Sequence, residues 1–402
     1  MHRVGVTGIG VICALGRNVP EFWASLEQGR VGIGSIKTTD VSSLRFQNGA
    51  EVTDYDPLDY FEARRVDLFD RFAQFALIAA KEAIHAAALH WSPELCSEAV
   101  IITGSCVGGQ STEDKGYHDV YKLNRSRVHP MTIPRTMASA GASLISIEFG
   151  ITGPALTVAT ACSSAAHAIG LGYWMVASGA TPLALVGGSE APFSFGILKA
   201  WEALRVVSPT TCRPFSKDRN GIILGEGGAM LVLERLDSAK ARGVDICAEV
   251  VGAGMSSDAR HITDPSSDGA ATAMRRALSN GGLAPEHIGY INAHGTGTDL
   301  NDVTETAAIR QVFRSHTERL AVSSTKSMHG HTLGAAGALE AAAAILSIQK
   351  GVLPPTANFN ERDPQCDLDV IPNVARNKDV EYCLSNSFAF GGMNVSLAFR
   401  KI

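Results

Sequence analysis

Residues 153–165 join a reactive side chain to a sharp change of backbone pattern. The stretch Ala155-Leu156-Thr157-Val158 reads as a buried strand that runs through Ala159-Thr160-Ala161 into Cys162, after which Ser163, Ser164, Ala165 and Ala166 begin a helix. A sulfur at a helix start faces unpaired N–H groups and the positive end of the macrodipole, which favour a thiolate. The same N–H groups can hold an oxyanion, so the chemistry on offer is nucleophilic acyl transfer. The competing reading is packing, because an isolated free cysteine most often ends as a small buried hydrophobe.

Two histidine segments change that balance. Asn292-Ala293-His294-Gly295-Thr296-Gly297-Thr298 and Ser324-Thr325-Lys326-Ser327-Met328-His329-Gly330-His331 each follow an apolar strand. Loops at strand ends collect reactive side chains in α/β folds, so one cysteine and two histidines on three such loops can share a pocket. His294 also fits an ordinary turn. His329 and His331 invite a metal reading, but only Gly330 separates them and no third ligand stands at metal spacing. Asn386-Ser387-Phe388-Ala389-Phe390-Gly391-Gly392-Met393-Asn394 sets an aromatic pair against a glycine pair, as a close backbone approach to a ligand or as a plain hairpin turn. The glycines at Gly225, Gly227 and Gly228, and at Gly5, Gly8 and Gly10, complete no dinucleotide-binding fingerprint.

Short apolar strands and longer amphipathic helices alternate around these segments, the pattern of a layered α/β fold. Strands are expected over residues 3–8, 98–103 and 155–160, each followed by a small-residue turn, with the clearest helix over 67–90. A strand over 229–234, a short helix over 236–242 and a strand ending at Gly254 lead into a second series. It comprises helices over 270–280, 302–313 and 333–350 and strands over 289–293, 320–324, 382–388 and 394–399. The expected division is 1–250 and 251–402, and with no Pro/Ser linker between them the halves should share a core.

Bulk properties exclude several classes. A net charge of -5 and the lack of a Lys/Arg block interleaved with aromatics argue against nucleic-acid binding. Eight scattered cysteines with no CxxC pair fit a reducing compartment and no structural metal cage. The start, Met1-His2-Arg3 before the apolar run Val4 to Leu15, has the outline of a secretion signal, but its glycines suit a strand and turn better. No run approaches the roughly 20 apolar residues of a membrane span, so a cytoplasmic protein is expected.

These residues together resemble the β-ketoacyl-[acyl carrier protein] synthases of the synthase II type, over essentially the whole chain. Thr160-Ala161-Cys162-Ser163-Ser164 is similar to the family's nucleophile motif, and His294 and His331 to its two histidines. Lys326 matches its lysine and Phe390 its gating phenylalanine. Trp201-Glu202-Ala203-Leu204-Arg205, Ser323 to His329 and Pro354-Pro355-Thr356-Ala357-Asn358 resemble the rhizobial nodulation protein E branch, which elongates polyunsaturated chains. The resemblance implies a thiolase fold with two similar halves in a five-layered αβαβα core. It implies a decarboxylative Claisen condensation of malonyl carrier with an acyl group held on Cys162.

The resemblance also implies the surroundings. Thr296 and Thr298 would hold the phosphopantetheine arm of the acyl carrier protein, Glu340 would pair with Lys326, and Val107 and Trp201 would line the acyl pocket. Arg64, Arg65, Arg127 and Arg205 would meet the acidic carrier. No cofactor is required; a structural monovalent cation would sit near Asn292, Glu340, Ser385 and Asn386. The implied assembly is a homodimer or a heterodimer with a chain-length-factor-like subunit. Ala389 and Met393 depart from the family's Gly-Phe-Gly-Gly-Thr-Asn loop: Ala389 should stiffen the gate, and Met393 replaces a hydroxyl with a flexible apolar side chain. With Val107 and Trp201 in the acyl pocket, the acyl group accepted should differ from straight saturated chains. A coenzyme A thiolase is the rival enzyme class; it normally carries a second active-site cysteine where His331 stands. An inactive chain-length factor is the rival non-catalytic class and lacks the nucleophile.

Overall fold

The computed structural model describes all 402 residues. Its main sheet has ten strands: β1 (Val4–Cys13), β2 (Val100–Gly104), β3 (Ala155–Val158), β4 (Leu183–Glu190), β5 (Gly227–Arg235), β6 (Ala248–Ser257), β7 (Ile288–Asn292), β8 (Ala321–Ser323), β9 (Tyr382–Ala389) and β10 (Met393–Arg400). The helices that matter for the site are α1 (Arg71–Ala86), α2 (Ser164–Ser178), α3 (Phe195–Leu204), α4 (Ser267–Asn280), α5 (Asp299–Phe313) and α6 (Ala336–Lys350).

The strand order is β8-β7-β9-β10-β6-β1-β5-β4-β2-β3. Read outward from the centre, each strand of the second five occupies the place of the strand five earlier in the first. The pairing repeats too: β2 lies parallel to β3 and β4 as β7 lies parallel to β8 and β9, and the remaining neighbours are antiparallel. Two copies of one topology therefore meet at the short antiparallel contact of Val4-Gly5-Val6 with Val250-Glu249-Ala248. The division expected at 250/251 falls inside β6, whose first residues make this join.

Layering follows from side-chain character. The thirteen buried residues of α6, AGALEAAAAILSI, are small or apolar on every side except at Glu340, so this helix belongs in the interior. It packs with α2 between the two half-sheets, while α1 covers the outer face of β1 and β5, and α4 that of β6 and β10. The result is a helix–sheet–helix–sheet–helix sandwich, the duplicated α/β architecture anticipated from the sequence. No helix is long and apolar enough to cross a membrane.

Element ends moved by a few residues, with local causes. The clearest helix spans Arg71–Ala86 rather than 67–90, because the Asp70 carboxylate caps it by accepting from Phe72 N at 3.2 Å. The first strand does not stop for a turn at Gly8 but continues to Cys13. Gly8 and Gly10 instead admit α1: a Cβ at either would stand 2.0 or 1.9 Å from the carbonyl oxygen of Ala83 or Ala79. Glu98 ends a helix, and β2 begins at Val100.

Candidate active site

Strand β3 delivers the chain to Ala161, which holds a left-handed φ of 49° and opens a 3-10 turn, Ala161–Ser163, that runs into α2. The second half repeats the device. Leu333, with φ 48°, opens the turn Leu333–Ala335 that runs into α6. Cys162 follows Ala161 at the first elbow, and Gly334 follows Leu333 at the second, so only one of the two elbows bears a thiol. Non-glycine residues in this region are strained, and both are overdetermined here by buried helices.

Cys162 is 7% exposed and lines a cavity of about 620 Å³ together with His294, His331, Thr296, Thr298, Phe388, Ala389 and Phe390. The strand-end loops thus converge as expected. Against the pull toward a thiolate expected of a helix start, burial pushes the Cys162 thiol up to about 12, with the Lys326 ammonium opposing and Glu340 reinforcing the rise.

The two histidines share one electrostatic arrangement. The rings are 5.5 Å apart, edge to face. His294 Nδ1 lies 3.2 Å from Lys326 Nζ, which also donates to the His294 carbonyl oxygen at 2.7 Å. His331 Nδ1 accepts from Leu333 N at 3.2 Å. An ammonium and an amide N–H can only donate, so each Nδ1 is an acceptor and each neutral ring carries its proton on Nε2. Both rings are held neutral well below the usual histidine range, by burial first and by the Lys326 charge second. His331 Nε2 is buried without a hydrogen-bond partner in the protein, as a donor awaiting a substrate oxygen would be.

Lys326 is fully buried and its ammonium also pairs with Glu340 Oε1. Burial still leaves the Glu340 carboxyl raised to about 7, against the pull of Lys326. The remaining oxygen, Glu340 Oε2, and the Asn292 side-chain oxygen are both buried without partners. His329, by contrast, spends both ring nitrogens inside the protein, Nδ1 on the Gly330 carbonyl and Nε2 on the Thr325 hydroxyl.

Sequence reasoning missed two buried acids. Glu305, on α5, accepts from His294 N and Gly295 N at 2.9 and 2.7 Å, and so shapes the His294 loop. Glu190, at the end of β4, accepts from Cys106 N, Val107 N and Gly334 N, which ties the loop after β2 to the second elbow. Burial raises both carboxyls to about 7. An acid at the end of an apolar strand was the available signal for Glu190.

Other sequence-selected residues are distributed unevenly. Thr296 and Thr298 line the cavity, their hydroxyls 2.9 Å apart. Val107 does not; it packs with Trp201 against a cluster that includes Phe193, Leu198 and Leu333. Trp201 reaches the cavity with its ring stacked on Phe390, centroids 6.3 Å apart. Met393 lies outside the lining, with its methyl toward Gly391. Arg205 caps α3 at the cavity wall, whereas Arg64 is paired with Glu62 and Arg65 with Glu148, and Arg127 is exposed. The segment 386–394 is both things the sequence allowed, a β9–β10 hairpin and a wall of the site.

Comparison with known proteins agrees with this geometry. Residues 1–239 match the family described as "Beta-ketoacyl synthase, N-terminal domain" and residues 247–360 its C-terminal domain. The chain is 45% identical to nodulation protein E of Rhizobium sp. (strain N33), with all of both chains covered. It is 41% identical to 3-oxoacyl-[acyl-carrier-protein] synthase 2 of Synechocystis sp., covering 99% of this chain and 98% of that one. Among solved structures it resembles the ishigamide ketosynthase/chain length factor, with a TM-score of 0.95 at 38% identity over 100% of this chain and 99% of that one. The chain belongs to the β-ketoacyl synthase family. Its activity is condensation of the ketoacyl-[acyl carrier protein] synthase type, as used in fatty-acid and polyketide chain elongation.

Proposed function

We propose that Cys162 carries the acyl group and that His294 and His331 stabilise the enolate formed from malonyl carrier protein. The observation that carries this reading is the pair of neutral histidines with both Nδ1 atoms already engaged, beside a buried cysteine in one cavity. Residues 1–250 then supply the nucleophile and residues 251–402 both histidines.

In the first half-reaction the Cys162 sulfur attacks the carbonyl of the acyl carrier thioester. The new C–S bond forms as the carrier C–S bond breaks, and the cysteine proton leaves with the carrier thiol. A resting thiol is compatible with this exchange because the proton has a destination. Malonyl carrier follows, its pantetheine arm against Thr296 and Thr298. Its carboxylate C–C bond breaks, carbon dioxide departs and the electron pair forms the enolate, whose oxygen receives both Nε2–H bonds. These donors are worth more to the charged transition state than to the neutral thioester. The enolate carbon attacks the acyl carbonyl, whose oxygen sits between the N–H groups of Cys162 and Phe390, and collapse expels the Cys162 sulfur as a thiolate, which takes a proton from water to return to the resting thiol. Lys326 and Glu340 position the His294 ring. Mass spectrometry of the protein with acyl carriers tests the reading: an acyl adduct on Cys162, absent in Cys162→Ala, is expected, and no adduct with any donor would overturn it.

The unpaired oxygens of Asn292 and Glu340 fit a monovalent cation held with Ser385 and Asn386, although Asn386 Oδ1 already accepts from Ser396. Such an ion would supply only local charge balance, and no other cofactor is required. A second subunit is supported by β3, an edge strand whose Leu156 is exposed. A homodimer is the simpler assembly. The likeness to a ketosynthase/chain length factor favours a heterodimer as the second reading. The acidic carrier would approach over Arg205, and over Arg64, Arg65 and Arg127 once the first two exchange carboxylate partners. A cytoplasmic site of action completes the proposal.

A further inference from the structure

Phe390 and Trp201 differ in how firmly they are held. Phe390 is 37% exposed on the turn Phe390–Gly392, and Gly391 and Gly392 both take left-handed φ values, 81° and 71°. Such a turn changes conformation with little steric cost. Apart from the hairpin itself, backbone bonds tie this turn to the 258–265 segment, Gly391 N to Ile262 O at 2.7 Å and Asp258 N to Gly392 O at 3.0 Å. Trp201 sits on α3, which is fastened near both ends. Gly196 N donates to Asp114 Oδ2 at 3.0 Å, and Glu202 accepts from Arg45 N at 2.5 Å and from Lys199. Leu198 on the same helix is fully buried. A fixed indole therefore presents its face to a phenylalanine on a movable turn, with 25° between the planes.

We propose that Trp201 is a positioning residue, a latch that holds the Phe390 turn in its stacked conformation and so sets the balance between admitting an acyl chain and condensing it. The proposal rests on the reading of Phe390 as the gate and oxyanion-side residue. In the stacked state the Phe390 N–H is fixed beside Cys162 for condensation. Loading of a long acyl chain requires the ring to leave the indole. An aromatic pair of this kind is worth up to about tenfold in the population of the stacked state. Trp201 lines the cavity, as the resemblance implied, and control of its door is a further role for the same side chain.

The test measures the two half-reactions separately: acylation of Cys162 by quenched-flow mass spectrometry, and condensation from preformed acyl-enzyme with malonyl carrier. Trp201→Leu, which keeps apolar bulk but no ring, should slow condensation several-fold while leaving acylation unchanged or faster. Trp201→Phe should restore the wild-type ratio. Equal behaviour of the Leu and Phe variants, or parallel loss of both half-reactions, overturns the latch. The same substitutions in a Phe390→Ala background separate the two claims. The latch requires that Trp201→Leu have no further effect there, and an undiminished effect refutes it. Wild-type kinetics in Phe390→Ala alone would instead remove the gate on which the latch rests. Melting temperatures of the Leu and Phe variants should agree within a few degrees; a selective collapse of the Leu variant counts against a local role.

Discussion

Lys326 Nζ lies 3.2 Å from Nδ1 of His294 and donates to the carbonyl oxygen of the same residue at 2.7 Å, so one buried ammonium fixes both the ring's tautomer and the path of its loop. The charge also holds the ring neutral, second only to burial. Replacing Lys326 by Met should therefore do two separable things. Carbon dioxide release from malonyl carrier should fall on the order of a hundredfold, as when one preorganised donor is lost. The surviving activity should acquire an acid limb, because without the ammonium the His294 pKa rises and the ring protonates as pH falls. Stability should drop by about 3–5 kcal/mol, since Glu340 loses its buried partner. A pH–rate profile for the variant as flat as that of the wild type would count against the tautomer argument.

His331 depends on a backbone amide rather than a charge, Leu333 N at 3.2 Å from Nδ1. His331→Ala removes the unpaired Nε2 donor and should lower decarboxylation on the order of a hundredfold while Cys162 acylation persists. His331→Asn can restore a side-chain N–H and should recover part of that loss. Equal losses in acylation and decarboxylation would assign His331 to the sulfur rather than to the enolate.

The reach of the sequence follows the range of the interactions involved. Cys162, His294 and His331 were legible because each stands where a periodic element ends, a local property. The strand series was legible for the same reason, while the element ends slipped where side chains such as Asp70 decided them. Glu305 and Glu190 were not legible, since their meaning lies in backbone N–H groups that only the folded chain brings within reach. Helix-start position favours a low pKa for Cys162, and depth of burial, a property of the whole sandwich, pushes it the other way. Val107 and Trp201 were assigned together to the acyl pocket; both pack against one small cluster, yet only Trp201 reaches the cavity, where it stacks on Phe390.

The raised thiol has a direct readout. With the Cys162 thiol pushed up to about 12, alkylation by iodoacetamide should keep rising with pH through 7–10 with no plateau. Rates are followed on the Cys162 peptide, so the other seven cysteines do not interfere. A plateau near pH 7 would mean that the helix dipole outweighs burial and that the resting nucleophile is a thiolate.

Glu190 and Glu305 bear on stability as a function of pH. Both carboxyls are raised to about 7 in the folded protein from an ordinary value of 4.5. A group whose folded pKa is raised contributes stability that is complete below its unfolded pKa and is lost as pH rises through the folded pKa. Melting temperature should therefore decline from pH 5 to pH 8, with each acid contributing a few kcal/mol at most. Glu190→Gln and Glu305→Gln should each flatten the slope while retaining an acceptor for the N–H groups. An unchanged slope in both variants would place the decline elsewhere.

Ala389 bears on what Cys162 is allowed to carry. Its φ of -123° and ψ of 156° are ordinary extended values, so the methyl group costs nothing in the observed turn. The cost falls on other conformations of the gate, because a Cβ removes backbone states that glycine retains. Ala389→Gly should lower stability by about 0.5–1 kcal/mol through the added freedom of the unfolded chain. It should also raise the rate of Cys162 acylation and broaden the acyl groups accepted, read as the ratio of rates for a polyunsaturated and a saturated acyl carrier. The shift should be largest when Trp201→Leu is also present, since the two changes free the same turn from opposite sides. An unchanged ratio in both single and double variants would show that selectivity is decided deeper than the gate, in the walls around Cys162 itself.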